Sequence, residues 1–513
     1  MPPDSRPLRA RFRLDRDEVL ARAGQLLGWV RGPSDQLEVT SLDTFDWRLF
    51  RAGARLSLEE GRQGARLLWW RGSERLLLPV QAPVRFATDL PTSTLRRRLE
   101  EVAGIRALLP VGRATVRRRS ARVVDREGKT VATVLLETTQ RHDPRGARVG
   151  TASRTVLVEG FQGYEAAFDT TVSRLAALEG LAPAEGDELA EAAAAWGRQP
   201  GDVPSRLELP LRPHQPAGEA VRLILRALLE AILANREGVV EDLDTEFLHD
   251  LRVAVRRTRS ALRQLGGVLP SDEVAHLEDE FRWLASVTGT CRDLDVFRLA
   301  VESYLRTGSG LAAALGPFLA HLAQHRAAAH RELVRALAGR RFSRLVQRLE
   351  ALLASPPAGG GEPIGAVAGR AIQRAHARLL RAGQRVGHGP DAALLHRVRI
   401  EGKRLRYLLE FFASLYPPGR IGPLVARLKA LQDALGGFHD AVVHTRRLLA
   451  MAEEMGTAGL GSPATFLAMG RLASWLEAQG EAHRQQFEEV FQAFSSAPSR
   501  RLRVLLQPEE GPS

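Results

Sequence analysis

The chain of 513 residues has one cysteine, Cys291. That excludes an internal disulfide framework, a zinc ribbon and a thiol-nucleophile arrangement, and it fits a reducing cytosol. Aromatic residues are few. Four Tyr and seven Trp leave little surface for stacking the bases of single-stranded nucleic acid. Lysine is nearly absent: of 73 basic residues only Lys129, Lys403 and Lys429 are not arginine. No run of about twenty uncharged apolar residues occurs, so no membrane-spanning helix is expected. Met1 to Leu14 carries arginines but no apolar core of signal-peptide length. There is no G-x-S-x-G elbow, no helix-turn-helix and no zinc-finger pattern. Gly128, Lys129 and Thr130 end like a phosphate-binding loop, but the earlier glycine that such a loop needs is replaced by Val123. What the chain does have is charge of one sign. A formal net charge of +13 favours polyanions: nucleic acid, anionic lipid or polyphosphate. The expectation is a soluble, cytoplasmic, globular protein of two to four domains, with no cofactor and no metal set.

The chain changes character near residue 210. Residues 1–160 read mostly as strands, with short apolar runs at Arg66–Arg71 and Glu74–Pro79. Arg113–Glu137 reads as a hairpin turning at Gly128. Helices are expected at Arg16–Leu27 and Thr94–Ala103, and across 163–198. Pro200, Pro204, Pro210, Pro213 and Pro216 mark a connection at 201–217. From Gly218 onward apolar residues recur at three and four positions, the period of amphipathic helix. Ser355–Gly361 divides this region. The expected organisation is therefore a domain at 1–200, a linker at 201–217, and a helical domain at 218–505 with halves at about 218–354 and 362–505.

The two halves share a pattern. His249, Arg252, Arg256, Arg257 and Arg259 are repeated 147 residues later as His396, Arg399, Lys403, Arg404 and Arg406, both reading H-x-x-R-x-x-x-(R/K)-R-x-R. The offset also maps Pro270 to Pro417, Leu284 to Leu431, Gly289 to Gly436 and Asp293 to Asp440. With about 100° per residue, His249, Arg252, Arg256, Arg259 and Arg263 fall within a stripe roughly 80° wide. His396, Arg399, Lys403 and Arg406 make the matching stripe. Leu248, Leu251, Val255 and Leu262 form an adjacent apolar face, and Arg257 and Arg404 point away. Like charges at i,i+4 cost a few tenths of a kcal/mol per pair. Asp250 lies off the stripe and Glu410 sits only at its end, so a bound anion is the natural compensation. Guanidinium forks bond phosphate oxygens in pairs, and a histidine beside phosphate gains charge. The alternative is a solvated basic face, or arginines paired with carboxylates on neighbouring helices.

His249–Arg263 and His396–Tyr407 resemble the two halves of a CHAD domain, the conserved-histidine α-helical domain. Trp283–Asp295 and Leu431–Asp440 resemble its second motif, and the likeness covers about residues 215–500. The resemblance implies two four-helix bundles around a basic groove that binds inorganic polyphosphate, in proteins that associate with polyphosphate granules. Carried onto this chain, the groove residues are His249, Arg252, Arg256, Arg259, Arg263, His396, Arg399, Lys403 and Arg406. Asp293 and Asp440 read as helix caps or arginine partners.

Ser41–Leu58, with Asp43, Thr44, Asp46, Arg48, Arg51, Gly53 and Arg55, resembles the second and third strands of a CYTH domain, the triphosphate tunnel family. The hairpin around Arg117–Glu137 fits as well, and the likeness covers about residues 5–200. It implies an antiparallel β-barrel, which makes the whole chain α+β: a CYTH-like tunnel followed by an all-α domain of two pseudo-symmetric bundles. The family's chemistry rests on E-x-E-x-K in the first strand, where the glutamates hold a divalent metal. The matching strand here carries Arg9, Arg11 and Arg13 in those places. The expectation is a retained fold without metal-dependent hydrolysis. Two readings stand for Arg9, Arg11, Arg13, Arg55, Arg117 and Arg119: a secondary anion site in the tunnel, or arginines of which several face solvent.

His321 and His325 are spaced i,i+4 with His330 beyond, yet no H-E-x-x-H pattern or acidic third ligand is evident, so a plain helix face is expected. His439 and His444 read the same way. The function these observations favour is non-enzymatic binding of inorganic polyphosphate without a membrane partner. The alternatives are a metal-dependent triphosphatase in the barrel and, with less support, nucleic-acid binding.

Overall fold

The computed structural model describes residues 8–15, 18–81, 83–184, 187–203, 209–308, 310–355, 361–385 and 392–495. It separates into two compact units, Met1–Ser205 and Arg206–Ser513. The boundary falls inside the proline-rich 201–217 segment. Residues 204–208 of that segment, the glycine-rich 356–360 and the end of the helical region at 496–505 lie outside the described residues.

The first unit is a nine-stranded antiparallel sheet: β1 (Arg9–Leu14), β2 (Val30–Asp43), β3 (Ala54–Gly61), β4 (Gly64–Arg71), β5 (Glu74–Val80), β6 (Leu109–Val124), β7 (Thr130–His142), β8 (Arg148–Gly160) and β9 (Leu181–Pro183). Its order is β5-β4-β3-β2-β6-β7-β8-β1-β9. Among the described residues five α-helices accompany it: α1 (Glu18–Leu27), α2 (Arg48–Arg51), α3 (Thr94–Ala103), α4 (Glu165–Ala176) and α5 (Glu188–Ala194). The β6–β7 hairpin turns where the sequence places it. Asp125 Oδ1 accepts from the amides of Glu127 and Lys129, each at 2.9 Å, and Gly128 takes φ +78°, which a side chain would resist.

Two expectations need correction. The barrel is not closed by a hydrogen-bonded ladder, because β5 and β9 are sheet edges. The sheet curls so that side chains of strands near its two ends meet. Arg9 of β1 lies over the Trp70 ring of β4 at 5.4 Å, and Arg75 of β5 reaches Glu159 of β8 at 2.8 Å. Residues 163–198 are not one helical stretch: β9 interrupts them and pairs with β1. Three residues with Pro183 carry too little pattern to be read as a strand.

The second unit is helical: α6 (Ala217–Val240), α7 (Thr245–Leu265), α8 (Ser271–Arg306), α9 (Gly316–Ala338), α10 (Arg340–Ala354), α11 (Ile364–Gln384), α12 (Ala392–Phe411), α13 (Pro418–Thr457) and α14 (Pro463–Ser495). The 147-residue repeat is structural. Pro216 bridges Pro363, and the amides of Ala217 and Ile364 donate to the carbonyls of Glu362 and Gln215, each at 2.9 Å. Thus α6 and α11 start side by side at equivalent positions. No helix among the described residues is long and apolar enough to cross a membrane.

Candidate functional site: paired basic stripes on two repeated helices

Helix α7 begins at a defined point because Asp244 caps it, its side chain accepting from the amides of Glu246 at 2.8 Å and Phe247 at 3.1 Å. Gly238 of α6 lets Phe247 lie flat against it, since a Cβ there would meet the ring at 2.2 Å. These contacts set the rotation of α7. Leu248, Leu251, Val255 and Leu262 are all buried, as are their repeat equivalents Leu395, Val398 and Leu409 on α12. Each fully buried Leu or Val contributes about 1.5–3 kcal/mol to holding its helix in this phase. With both apolar faces fixed, the cationic stripes have one direction left.

The stripes converge at their centre. Arg257 of α7 donates to Glu410 of α12 at 3.0 and 2.6 Å, and Gln264 donates to the Arg404 carbonyl at 3.3 Å. Side by side, α7 and α12 bring Arg256 against Arg399 and Lys403, with Arg252 behind Arg256 on the same stripe. Burial, then repulsion from Arg399 and Arg256, pushes the Lys403 ammonium down to about 7, although Asp440 pulls it back. Burial foremost lowers Arg399 as well, with Arg256 adding to it. Arg252 is pushed down to about 10 by burial, against Asp293 and with repulsion from Arg256 and Arg292; it remains charged at neutral pH. The Nε atoms of Arg252 and Arg256 are buried with no hydrogen-bond partner among the described residues.

The second motif supplies the counter-charge. Arg252 stands 3.8 Å from Asp293 of α8, and Arg399 4.0 Å from Asp440 of α13. Both aspartates sit inside long helices, so they are arginine partners and not caps. They offset part of the stripe, which is therefore not uncompensated as the α7 and α12 sequences alone imply. Burial raises the Asp440 carboxyl even beside Arg399 and Lys403. Gly289 makes the α7–α8 crossing possible, because a Cβ there would come within 3.0 Å of Arg252 Nη1.

The structure adds two residues that the sequence reading passed over. Arg292 Nη2 lies 3.1 Å from His249 Nδ1. His439, expected on a plain helix face, lies with its ring 5.3 Å from that of His396. Arg292 and His439 are themselves 147 residues apart, so the offset contained this signal. Burial first, then Arg399, pushes His439 down to about 4. His396 is lowered by burial, Arg399 and Lys403. His444 is a core residue stacked on Phe297 at 5.0 Å.

The outer members of the stripes lie elsewhere. Arg406 pairs with Glu410 at 3.3 Å. Arg259 is lowered by burial and by Arg263 and Arg282. Arg263 is exposed and, with Gln264, Arg374, Arg378 and Arg404, lines a separate pocket of about 310 Å³. Arg378 and Arg404 both pair with Glu401 there, at 3.1 and 2.5 Å.

In the first unit, β1 and its neighbours line a cavity of about 110 Å³. Its arginines are answered by carboxylates. Arg11 meets Glu188 at 3.1 Å and Glu191 at 3.8 Å, Arg55 pairs with Asp187, and Arg118 binds Glu137 at 2.6 Å and Glu59 at 3.1 Å. Arg13 is exposed beside Asp15 at 3.5 Å. Arg117 and Arg119 lie on the face opposite Arg118, where they line an outer groove with Arg31, Arg62 and Arg154. The six arginines are therefore not brought to one place. A divalent cation does not fit the cavity: Arg9 and Arg11 occupy the first-strand positions, and Glu59, Glu137, Glu159 and Glu188 are held by arginines.

Comparison with known proteins bears on the helical unit above all. The CHAD domain family model matches residues 223–449. The CHAD domain of the plant Ricinus communis is 31% identical, covering 60% of this chain and 97% of that one, with a TM-score of 0.47. An uncharacterized protein of Mycobacterium tuberculosis strain H37Rv is 30% identical over 265 residues, 49% of each chain. The chain thus spans about half the length of the curated relatives it matches. A protein from Hippeastrum, an adenylyl cyclase candidate with a dominant triphosphatase activity, is 13% identical, covering 38% of this chain and 98% of that one at a TM-score of 0.27. At that level it says nothing about catalysis by this chain.

Proposed function

The chain belongs to the CHAD domain family, and from that premise together with the clustered cations of α7 and α12 we propose that it binds inorganic polyphosphate without catalysing a reaction on it. The observation that carries this is the convergence of Arg256 with Arg399 and Lys403, where burial first and then repulsion from Arg399 and Arg256 push Lys403 down to about 7. Such crowding is relieved by a ligand that is a row of anions. Arginine forks on facing helices each take phosphate oxygens of successive units, and the buried Nε atoms of Arg252 and Arg256 gain acceptors. His249 and His396 flank the row. Arg259, Arg263 and Arg406 extend it toward the ends, where local carboxylates or solvent already attend them. Association with polyphosphate granules follows as part of the same proposal.

Hydrolysis in the sheet unit is the weaker reading, since Arg11, Arg55 and Arg118 hold the carboxylates that a metal would need. Nucleic acid is separated by competition between long-chain polyphosphate and DNA at matched phosphate concentration and physiological salt. Polyphosphate is expected to displace DNA. Affinity should fall with salt by about three decades per tenfold increase, from four cation contacts at about 0.7 ions each. Displacement of polyphosphate by DNA would favour the nucleic-acid reading instead.

A further inference from the structure

Away from the groove, His321 and His325 of α9 meet Glu454 of α13. Their Nε2 atoms lie 3.3 and 3.2 Å from the same carboxylate oxygen, Glu454 Oε2. The two rings are 4.5 Å apart at 63°, and one ligand atom from each of the three residues falls within 4.8 Å of the others. The i,i+4 spacing puts both imidazoles on one face of α9. The acid comes from 129 residues further on, which is why the α9 sequence alone showed no third ligand. His330 takes no part, because its Nε2 faces the Val239 carbonyl at 2.8 Å.

Three features separate this cluster from the chain's many ion pairs. Most carboxylates here are met by arginine, but among the described residues Glu454 is paired only with the two imidazoles. Zinc holds nitrogen and oxygen at about 2.0–2.1 Å, so the edge of its ligand tetrahedron is about 3.4 Å. The observed separations of 3.2 and 3.3 Å are close to that edge. His321 is 12% exposed while His325 and Glu454 are 40% and 53% exposed, which leaves a solvent side for a water ligand. Two imidazoles and one carboxylate suit a borderline cation such as Zn²⁺ better than Mg²⁺ or Ca²⁺, which prefer oxygen alone.

We propose that His321, His325 and Glu454 bind one zinc-class divalent cation, with water as fourth ligand, and so tie α9 of the first helical half to α13 of the second. His321 Nδ1 is buried without a hydrogen-bond partner among the described residues, and an unsupported ligand ring weakens a site by about 10- to 100-fold. The site is accordingly of moderate affinity. It does not depend on polyphosphate binding.

The test uses the full, tag-free chain stripped with a chelator, in buffer without polyphosphate, which itself binds cations. Co²⁺ is titrated and followed by visible absorption, and Zn²⁺ affinity is measured by competition with a chromogenic chelator. One equivalent of Co²⁺ with an intense tetrahedral spectrum is expected. His325→Ala and Glu454→Gln should each weaken Zn²⁺ binding by about 100-fold or more, at least the cost of losing an outer-shell partner. Both positions are exposed enough for the variants to fold, and circular dichroism verifies this. If the wild type binds no more tightly than the triple variant with His321→Ala, or the triple variant keeps the site, the cluster is a histidine–glutamate ion pair and the proposal is wrong.

Discussion

Arg257 of α7 holds Glu410 of α12 through two hydrogen bonds, at 3.0 and 2.6 Å, across 153 residues of sequence. The repeat equivalents of these residues are Arg404 and Arg263, two cations that cannot pair, so the dimer-like symmetry of the halves is broken at this contact. One side of the α7–α12 crossing is clamped by an ion pair. The other opens into the arginine-lined pocket.

Glu410→Ala should therefore loosen the crossing. Hydrogen bonds to charged groups are worth about 1.5–3 kcal/mol, and urea unfolding should show a loss in that range. The partly exposed geometry favours the lower end.

Lys403 should make the proposed polyphosphate binding pH-dependent. In the free chain its ammonium titrates near 7, whereas an unfolded chain keeps that proton to about pH 10. Unliganded stability therefore rises with pH between those values, since the unfolded state holds the extra proton. Polyphosphate favours the charged form, so affinity should fall as pH rises through 7, by up to about tenfold per unit for one linked proton. Calorimetry in buffers of different ionisation enthalpy should show proton uptake above pH 7. Lys403→Arg should abolish most of it.

Asp295 of α8 is fully buried, and Arg326 of α9 is its partner at 2.9 Å; Arg326 also reaches Asp242 at 2.5 Å. Burial raises the Asp295 carboxyl and Arg326 opposes this. Arg326→Met should cost about 3–5 kcal/mol by leaving a buried carboxylate unpaired. Adding Asp295→Leu should recover much of the loss, as read from urea midpoints.

Arg11 is held by Glu188 and Glu191. Arg11→Glu restores one residue of the tunnel family's metal motif, yet it sets a third carboxylate beside Glu188 and Glu191 and removes the arginine that both share, leaving Arg141 on Glu191. The expected result is a less stable first unit and no Mg²⁺- or Mn²⁺-dependent release of phosphate from tripolyphosphate. A gain of that activity would show that the cavity tolerates a metal after all.

The cation cluster of α7 and α12 was legible because a helix has a fixed phase. Once Leu248, Leu251 and Val255 are read as buried, Arg252 and Arg256 have one direction left, and the repeat at Arg399 and Lys403 doubles the inference. The neutralising aspartates were visible in the 147-residue offset and read as helix caps or arginine partners, but the choice between the two was not, since mid-helix position and cross-helix distance belong to tertiary structure. The same limit hid Arg292 and His439 as the companions of His249 and His396. In the first unit, the arginines at Arg9 and Arg11 were plain in the strand. Their partners were not, because Glu188 and Glu191 sit on α5, in a stretch whose break by β9 the alanine-rich pattern concealed. Glu454 shows the limit most simply: nothing in α9 announces an acid carried by α13.

The most direct measurement compares long-chain polyphosphate binding by the wild-type chain and by a variant with Arg252, Arg256, Arg399 and Lys403 all changed to Ala, at one salt concentration and with folding verified. Loss of four charge-assisted contacts should weaken binding by at least about 100-fold, each contact being worth more than a neutral hydrogen bond of about 1 kcal/mol. Equal affinities would contradict the assignment of the groove between α7 and α12.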